Sequence, residues 1–335
     1  MMSKRSFLEL FEKHYQDRFN NVETYTVNNH EGIVEKIIIK SDKVREGNYP
    51  NILYHGKKTK NAIVLIHGLT DSPYYMKDIA ERFYHEGANV VLPLLSGHGL
   101  QISKALNKLQ DHSLDKKWKS EVDLAVDIAQ IIGEHVSIGG LSTGGALSIN
   151  KILRDPQKID GGVFLFSAAL SIGHFEIIKK IPFVQPFIKT VRNIYQKLCT
   201  KNQTKKPVNP YKYPFLLNYT SLELFDIILE NKKISKNIKN ISQPIFAVHS
   251  LHDETIKNGE VRKFFKKFIK TSDSDMSKVL ILLDKPKIGH SNLVLKNRIV
   301  TKNISGETVL HANPNPIFNY MMSAVIGFYK DYLHW

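Results

Sequence analysis

The chain has 335 residues, of which 42% are hydrophobic and 24% charged, and its formal net charge is +15. This balance allows a sizeable core and excludes an intrinsically disordered class of protein. A single cysteine, Cys199, excludes an internal disulfide framework and a multi-cysteine metal site, and no apolar run reaches the roughly 18 residues of a membrane span.

The positive charge is mostly lysine, which occurs here with much asparagine and isoleucine, as AT-rich genomes encode. The sequence shows no zinc-knuckle spacing, no arginine-rich arm and no basic helix with regularly spaced aromatic residues. Basic composition alone says little about a specific site, so we predict no nucleic-acid partner.

The N-terminal stretch has the composition of an amphipathic helix. Glu9, Glu12 and Lys13 fall within what would have to be the apolar region of a secretory signal, so this stretch is not interpreted as one. We therefore expect a cytoplasmic protein. Export by a system that reads no N-terminal signal stays open.

Strands and helices alternate along most of the chain. Apolar and β-branched runs predict strands over 32–39, 62–68, 88–95, 135–140, 161–170, 244–250 and 278–284. Helical spacing of apolar residues predicts helices over 72–87, 114–133, 145–153, 260–269 and 316–332. This alternation predicts an α/β fold with a mostly parallel central sheet covered by helices on both faces.

One long segment interrupts the alternation. About seventy residues between the strands that end near Leu170 and start at Pro244 lack strand character, and prolines divide their many aromatic and apolar residues. Linkers do not carry so many aromatic residues, so 171–243 is predicted to be an inserted helical cap. The core is then 1–170 with 244–335, and 1–60 would hold an N-terminal helix and the first strands.

Residues 140–144 read Gly-Leu-Ser-Thr-Gly and fit the pattern G-x-S-x-G between a predicted strand and a predicted helix. A serine on such a turn is raised above the sheet, and its neighbours must be small for the turn to close. We interpret Ser142 as a nucleophile. The alternative is a plain glycine-rich turn.

A serine hydroxyl needs a positioned base. In a parallel sheet the carboxyl ends of the strands share one edge, so the base is expected after a later strand. His290 follows the last predicted strand, and Asp253 follows the strand before it. His249 and His252 compete with His290 for the role of base, and Glu254 competes with Asp253.

Acyl transfer also requires N–H donors directed at the developing oxyanion. His67 and Gly68 end the first long buried strand, just before a predicted helix. In the fold that carries a G-x-S-x-G turn, this loop supplies one backbone N–H and the residue after the nucleophile supplies another. We assign these donors to Leu69 and Thr143.

Five segments, HGLTDSP, LSGHG, GLSTGG, HDETI and GHSNL, together resemble the α/β-hydrolase superfamily. They are most similar to its carboxylesterase, monoacylglycerol lipase and lysophospholipase branch, over roughly residues 60–295. The resemblance implies Ser142 as nucleophile, His290 as general base and then acid, and Asp253 as the group that orients it. His98 matches a structural loop of that branch, in which an arginine often stands where this chain has Ser96.

The leading hypothesis is a serine hydrolase that cleaves carboxylic esters of lipid-like, acylglycerol or lysophospholipid type through an acyl-enzyme on Ser142, with no metal and no cofactor. An acyltransferase or thioesterase would use the same three residues, and a non-catalytic binding protein is the alternative from another class.

The cap is expected to wall an apolar acyl pocket that includes Phe183, Phe187 and Phe215. Its lysines either allow peripheral contact with anionic membrane surfaces or only reflect composition. No specific protein partner is predicted.

Overall fold

The computed structural model describes residues 4–28, 35–101, 108, 111, 113–170, 208–214, 218–237, 241–268 and 277–332. Its centre is a sheet of the strands β1 (Glu23–Asn28), β2 (Glu35–Lys40), β3 (Asn51–Tyr54), β4 (Thr59–Ile66), β5 (Asn89–Leu92), β6 (Gly133–Leu141), β7 (Val163–Phe166), β8 (Ile245–Ser250) and β9 (Lys278–Leu283). Their order across the sheet is β1-β2-β3-β5-β4-β6-β7-β8-β9.

The direction of the strands divides the sheet into two parts. From β5 to β9 all neighbouring strands are parallel, and their apolar sequences are buried as the alternation with helices predicts. The strands β1, β2, β3 and β5 pair antiparallel. The predicted mostly parallel sheet is confirmed, and the antiparallel edge is an addition to it.

Helices cover both faces of the sheet. They are α1 (Lys4–Phe19), α2 (Lys77–His85), α3 (Leu114–Ile132), α4 (Thr143–Arg154), α5 (Asn218–Ile234), α6 (Asn258–Phe268) and α7 (Phe318–Tyr332). On one face, Phe83 of α2 and Tyr329 of α7 pack against Phe164 of β7. On the other face, Trp118 of α3 and Ile149 of α4 belong to a second buried cluster. None of the described helices has the length and apolar character needed to cross a bilayer.

The carboxyl ends of the parallel strands meet at one edge of the sheet. Ile66 of β4 is level with Gly140 of β6, and Ser250 of β8 is level with Leu283 of β9. The loops that follow β4, β6, β8 and β9 therefore emerge together, and these loops carry the predicted site residues.

The described parts of the segment 171–243 lie against the core. The helix α5 packs on α4, where Asn231 Nδ2 donates to the carbonyl oxygen of Ala146 over 2.9 Å, and on α3, where Lys119 pairs with Glu230 over 2.7 Å. Phe183, Phe187 and Phe215 lie outside the described residues. The division of the chain into a core and a cap stays a prediction.

Candidate active site

Ser142 occupies a sharp turn between β6 and α4. Its backbone has φ 55° and ψ −111°, a conformation that is unusual for a residue with a side chain. Two backbone hydrogen bonds secure the turn: Ser142 N donates to Phe166 O, and Ala169 N donates to Ser142 O, both over 3.0 Å. Such strain persists where the surroundings fix it, and it is typical of functional sites.

The glycines of this turn are required by close backbone packing. A Cβ atom on Gly144 would overlap the carbonyl oxygen of Ile66 at the end of β4, and a Cβ atom on Gly140 would lie 2.7 Å from the carbonyl carbon of Gly144. Because these are backbone atoms, an added methyl group can be accommodated only if a strand or a helix shifts.

Gly144→Ala is therefore expected to lower the free energy of unfolding by about 3 kcal/mol or more, because the clash must move β4 or α4. Gly327→Ala is the matched control. Gly327 lies in α7, and nothing lies within 4 Å of its added Cβ atom, so this change should raise stability by roughly 0.5–1 kcal/mol. Urea denaturation measures the free energy of unfolding of both variants. Equal changes in the two variants would contradict the packing argument.

Asp253 and His290 are brought together from the loops after β8 and β9. His290 Nδ1 donates to Asp253 Oδ2 over 2.7 Å, and the other carboxylate oxygen accepts from the N–H groups of Thr255 (2.8 Å) and Ile256 (2.9 Å). Burial alone would raise the pKa of Asp253, but the hydrogen bond and charge of His290 and the two N–H groups outweigh it and lower that pKa. The acid thus stays ionised and orients the imidazole ring.

The competing residues have other partners. His249 is buried, contacts the carbonyl oxygen of Ile256 through Nε2, and has its Nδ1 3.9 Å from Asp253. His252 is partly exposed and lies 3.3 Å from Asp284. Glu254 is exposed. His290 therefore has the shortest contact with Asp253 among these histidines.

The loop after β4 lies beside the serine. A Cβ atom placed on Gly68 would lie 3.5 Å from Ser142 Cβ. Leu69 follows Gly68, and its carbonyl oxygen is held by His98 Nε2 over 2.5 Å. Thr143 begins α4, where backbone N–H groups have no acceptor within the helix and the helix dipole is positive. Thr143 thus follows Ser142 directly, and Gly68, the neighbour of Leu69, lies beside it.

Two buried histidines contact the backbone of this loop through their ring nitrogens. His67 Nδ1 donates to Gly68 O over 2.9 Å, and its Nε2 accepts from Leu95 N over 3.1 Å. The ring nitrogens of His98 face the carbonyl oxygens of Leu69 and Ser96, as expected for a hydrogen-bonded loop residue. Burial lowers the pKa of both histidines, well below the ordinary value for His67.

Stability should therefore depend on pH. Burial places the pKa values of His67, His98 and His249 below the ordinary 6.5 in the folded chain. As the pH falls below that value, the unfolded chain binds protons that the folded chain does not, so the free energy of unfolding falls.

We expect a loss of up to about 1.4 kcal/mol per pH unit for each histidine, measured by urea unfolding between about pH 7 and pH 5. His67→Gln, which cannot titrate, should reduce this slope. A constant unfolding free energy over the range would contradict the prediction.

The N-terminal helix also reaches this region, which the sequence did not predict. Arg18 of α1 donates to the carbonyl oxygens of Leu94 (2.5 Å) and Leu95 (2.8 Å) and pairs with the buried Glu121. Glu121 accepts in turn from the N–H of Ser96 over 2.7 Å. Arg18 thus brings a guanidinium group to the loop that contains Ser96.

Ser142, Asp253 and His290 all lie at one edge of the sheet. A direct hydrogen bond joins Asp253 to His290, and Ser142 lies on the turn after β6 at the same edge of the sheet. Among the described residues, no group of three or more His, Cys, Asp or Glu side chains is arranged to hold a metal ion.

Solved structures with a similar fold include one from a study of the metagenome-derived lipolytic enzymes LipS and LipT, at 17% identity and a TM-score of 0.60, covering 87% of this chain and 100% of that chain. The monoacylglycerol lipase of Paleococcus ferrophilus aligns at 15% identity and a TM-score of 0.55, covering 84% and 98%. At these identities the likeness concerns the fold.

In sequence, the chain is 28% identical over 110 residues to the thermostable monoacylglycerol lipase of Bacillus sp. strain H-257. The match covers 33% of this chain and 41% of that protein, so the chain spans less than half the length of this relative. The family described as "Serine aminopeptidase, S33" (Hydrolase_4) matches residues 57–275. With this match over more than half of its length and an α/β-hydrolase fold, the chain belongs to the Hydrolase_4 family of α/β-hydrolases.

Proposed function

We propose that this protein hydrolyses carboxylic esters through an acyl-enzyme on Ser142. The observation that carries the proposal is the 2.7 Å hydrogen bond between Asp253 and His290, at the sheet edge where Ser142 occupies its strained turn. A hydroxyl on such a turn and an imidazole oriented by a buried carboxylate are the two groups that nucleophilic acyl transfer needs.

In the proposed reaction His290 takes the proton of Ser142 through Nε2, and the serine oxygen attacks the ester carbonyl carbon. The carbonyl oxygen becomes an oxyanion that accepts from the N–H groups of Leu69 and Thr143. His290 then donates the proton to the leaving alcohol, and the acyl group stays on Ser142. A water molecule, deprotonated by His290, attacks the acyl-enzyme, releases the carboxylic acid and restores the serine.

For the substrate we propose lipid-like esters such as acylglycerols or lysophospholipids. The support is the Bacillus relative, a monoacylglycerol lipase, and the aromatic content of the insertion, in which Phe183, Phe187 and Phe215 are the proposed acyl-pocket residues. A cavity of about 420 Å³ between the loops after β8 and β9 is lined by His252, Glu254 and Lys287 among others. Charged side chains do not suit an acyl chain, so we propose the acyl pocket on the side of the insertion.

The basic insertion supports a further proposal about where the enzyme acts. Residues 174–240 hold 13 Lys and Arg against 4 Asp and Glu, which would attract an anionic lipid surface. Co-sedimentation with phosphatidylglycerol vesicles but not with phosphatidylcholine vesicles would support peripheral membrane contact, and equal recovery with both would contradict it. A cytoplasmic location stays a prediction.

A fluorophosphonate probe and a substrate panel test the main proposal. The folded protein should form a covalent adduct that maps to Ser142, and it should hydrolyse p-nitrophenyl esters, with longer acyl chains preferred over acetate. Glycerides and lysophospholipids assayed in parallel define the leaving group. Transfer of the acyl group to an added alcohol or thiol in preference to water would indicate an acyltransferase. Failure of the folded protein to label would favour a binding protein.

A further inference from the structure

Residues 208–214, a short segment of the insertion, lie against the loop after β4. Tyr213 N donates to Thr70 O over 2.8 Å, and the Tyr213 hydroxyl donates to Gly97 O over 2.9 Å. The segment is therefore tied to two of the loops beside the candidate active site.

Lys212 of this segment joins two loops of the site. Its Nζ donates to Ser291 Oγ over 2.7 Å and lies 3.2 Å from Asp71 Oδ1. Ser291 follows His290 directly, and Asp71 belongs to the loop of Leu69. The side chain of Lys212 is 32% exposed, whereas that of Asp71 is only 3% exposed. The lysine thus bridges the histidine loop and the loop of a proposed oxyanion donor.

The position of Asp71 raises an electrostatic difficulty for acyl transfer. A Cβ atom on Gly68 would overlap the carboxylate of Asp71 and lie 3.5 Å from Ser142 Cβ, so the carboxylate and the serine lie on the same side of Gly68. A buried negative charge this close opposes the negative charge that develops on the substrate oxygen. Asp71 therefore needs a cation.

We infer that Lys212 is a positioning residue for the proposed ester hydrolysis: it neutralises the Asp71 carboxylate beside the oxyanion site and holds the histidine loop through Ser291. The inference rests on the proposed function. It predicts an asymmetry between the two partners. Loss of the lysine leaves an uncompensated carboxylate beside the oxyanion, whereas loss of the carboxylate leaves a cation that does not oppose it. A purely structural bridge through Lys212 would stay broken when Asp71 is replaced as well, so the double variant would then regain nothing.

The test compares Lys212→Met, Asp71→Asn and the double variant on a neutral p-nitrophenyl ester at one pH and salt concentration. Lys212→Met should lower kcat on the order of tenfold to a hundredfold, with a smaller change in KM, because a neutral bound ester does not sense the charge as the transition state does. Asp71→Asn should lose far less, and the double variant should regain most of the kcat lost by Lys212→Met.

An inhibitor measurement and a control variant separate this role from a structural one. A boronic acid inhibitor forms an anionic tetrahedral adduct, so its inhibition constant should rise in Lys212→Met in parallel with the loss of kcat. Lys158→Met is the matched control: Lys158 pairs with Asp127 over 2.5 Å, and its side chain is 37% exposed. Asp127 lies within α3 and Lys158 in the short turn Pro156–Lys158 after α4, so the loss of this pair should leave both kinetic constants near the parent values.

The outcomes distinguish the two proposals. A parent protein that labels with fluorophosphonate and hydrolyses esters supports the proposed function, and equal losses of kcat in both single variants, or no recovery in the double variant, would then overturn the inference alone. If Lys212→Met does not fold, recovery of folding and of kcat in the double variant supports neutralisation, and no recovery contradicts it. A parent protein without turnover removes the proposed function and this inference together.

Discussion

Ser142→Ala and His290→Ala are each expected to lower kcat about a millionfold, because the members of a catalytic triad act as a unit and either loss removes the acyl-enzyme route. The fold should remain, since Ser142 is held by backbone hydrogen bonds and the side chain of His290 lies near the surface of the site. Initial rates of ester hydrolysis measure kcat, fluorophosphonate labelling reports the nucleophile, and thermal unfolding reports whether the fold remains.

His252→Ala is the control for the histidine. This residue lies on the neighbouring loop and pairs with Asp284, so its loss should leave the rate within about twofold of the parent. Retention of more than about a tenth of the rate in His290→Ala would show that His290 is not the base. A large loss in His252→Ala would then assign the role to that residue.

Asp253→Asn is expected to lower kcat about ten-thousandfold. Asp253 accepts hydrogen bonds on both oxygens, one from His290 and the other from the N–H groups of Thr255 and Ile256. An amide must direct its NH₂ group either at the imidazole, which then takes the wrong tautomer, or at two N–H donors. The second orientation sets the NH₂ group against two donors, so the first is favoured, and it reverses the hydrogen bond that keeps a proton on His290 Nδ1.

Asp284→Asn is the matched control, since it removes an exposed carboxylate that lies 3.3 Å from the partly exposed His252. Exposed ion pairs contribute little, so we expect a change in kcat of less than about twofold. A loss of less than about tenfold in Asp253→Asn would contradict its role in orienting His290, and Glu254 would be replaced next.

Much of the parallel core follows from local patterns. Continuous apolar runs predict β4 and β5. The strand predicted over 88–95 ends earlier, at Leu92, because Pro93 lacks the N–H group that would continue the ladder. First strands were predicted within 1–60, but the antiparallel strands β1 and β3 were not located. Four residues, as in β3, are too few to show a period, and the polar residues of β1 do not differ from those of a loop.

The candidate site residues also divide into those that the local sequence indicates and those that only the folded chain identifies. The sequence by itself determined the candidates Ser142, Asp253 and His290, because a glycine-rich turn and the ends of parallel strands are visible in local spacing. It left His249 and His252 as competitors, and only the folded chain decided which imidazole contacts the carboxylate, since side-chain direction depends on how each loop packs.

The tertiary structure alone joined Arg18 to the loop of Ser96 and Lys212 to Asp71. These partners are far apart in the chain and belong to no motif, so no spacing could have indicated them. Their contacts exist because the sheet brings its loops to one edge, where a buried charge must find an opposite charge from whatever segment packs there.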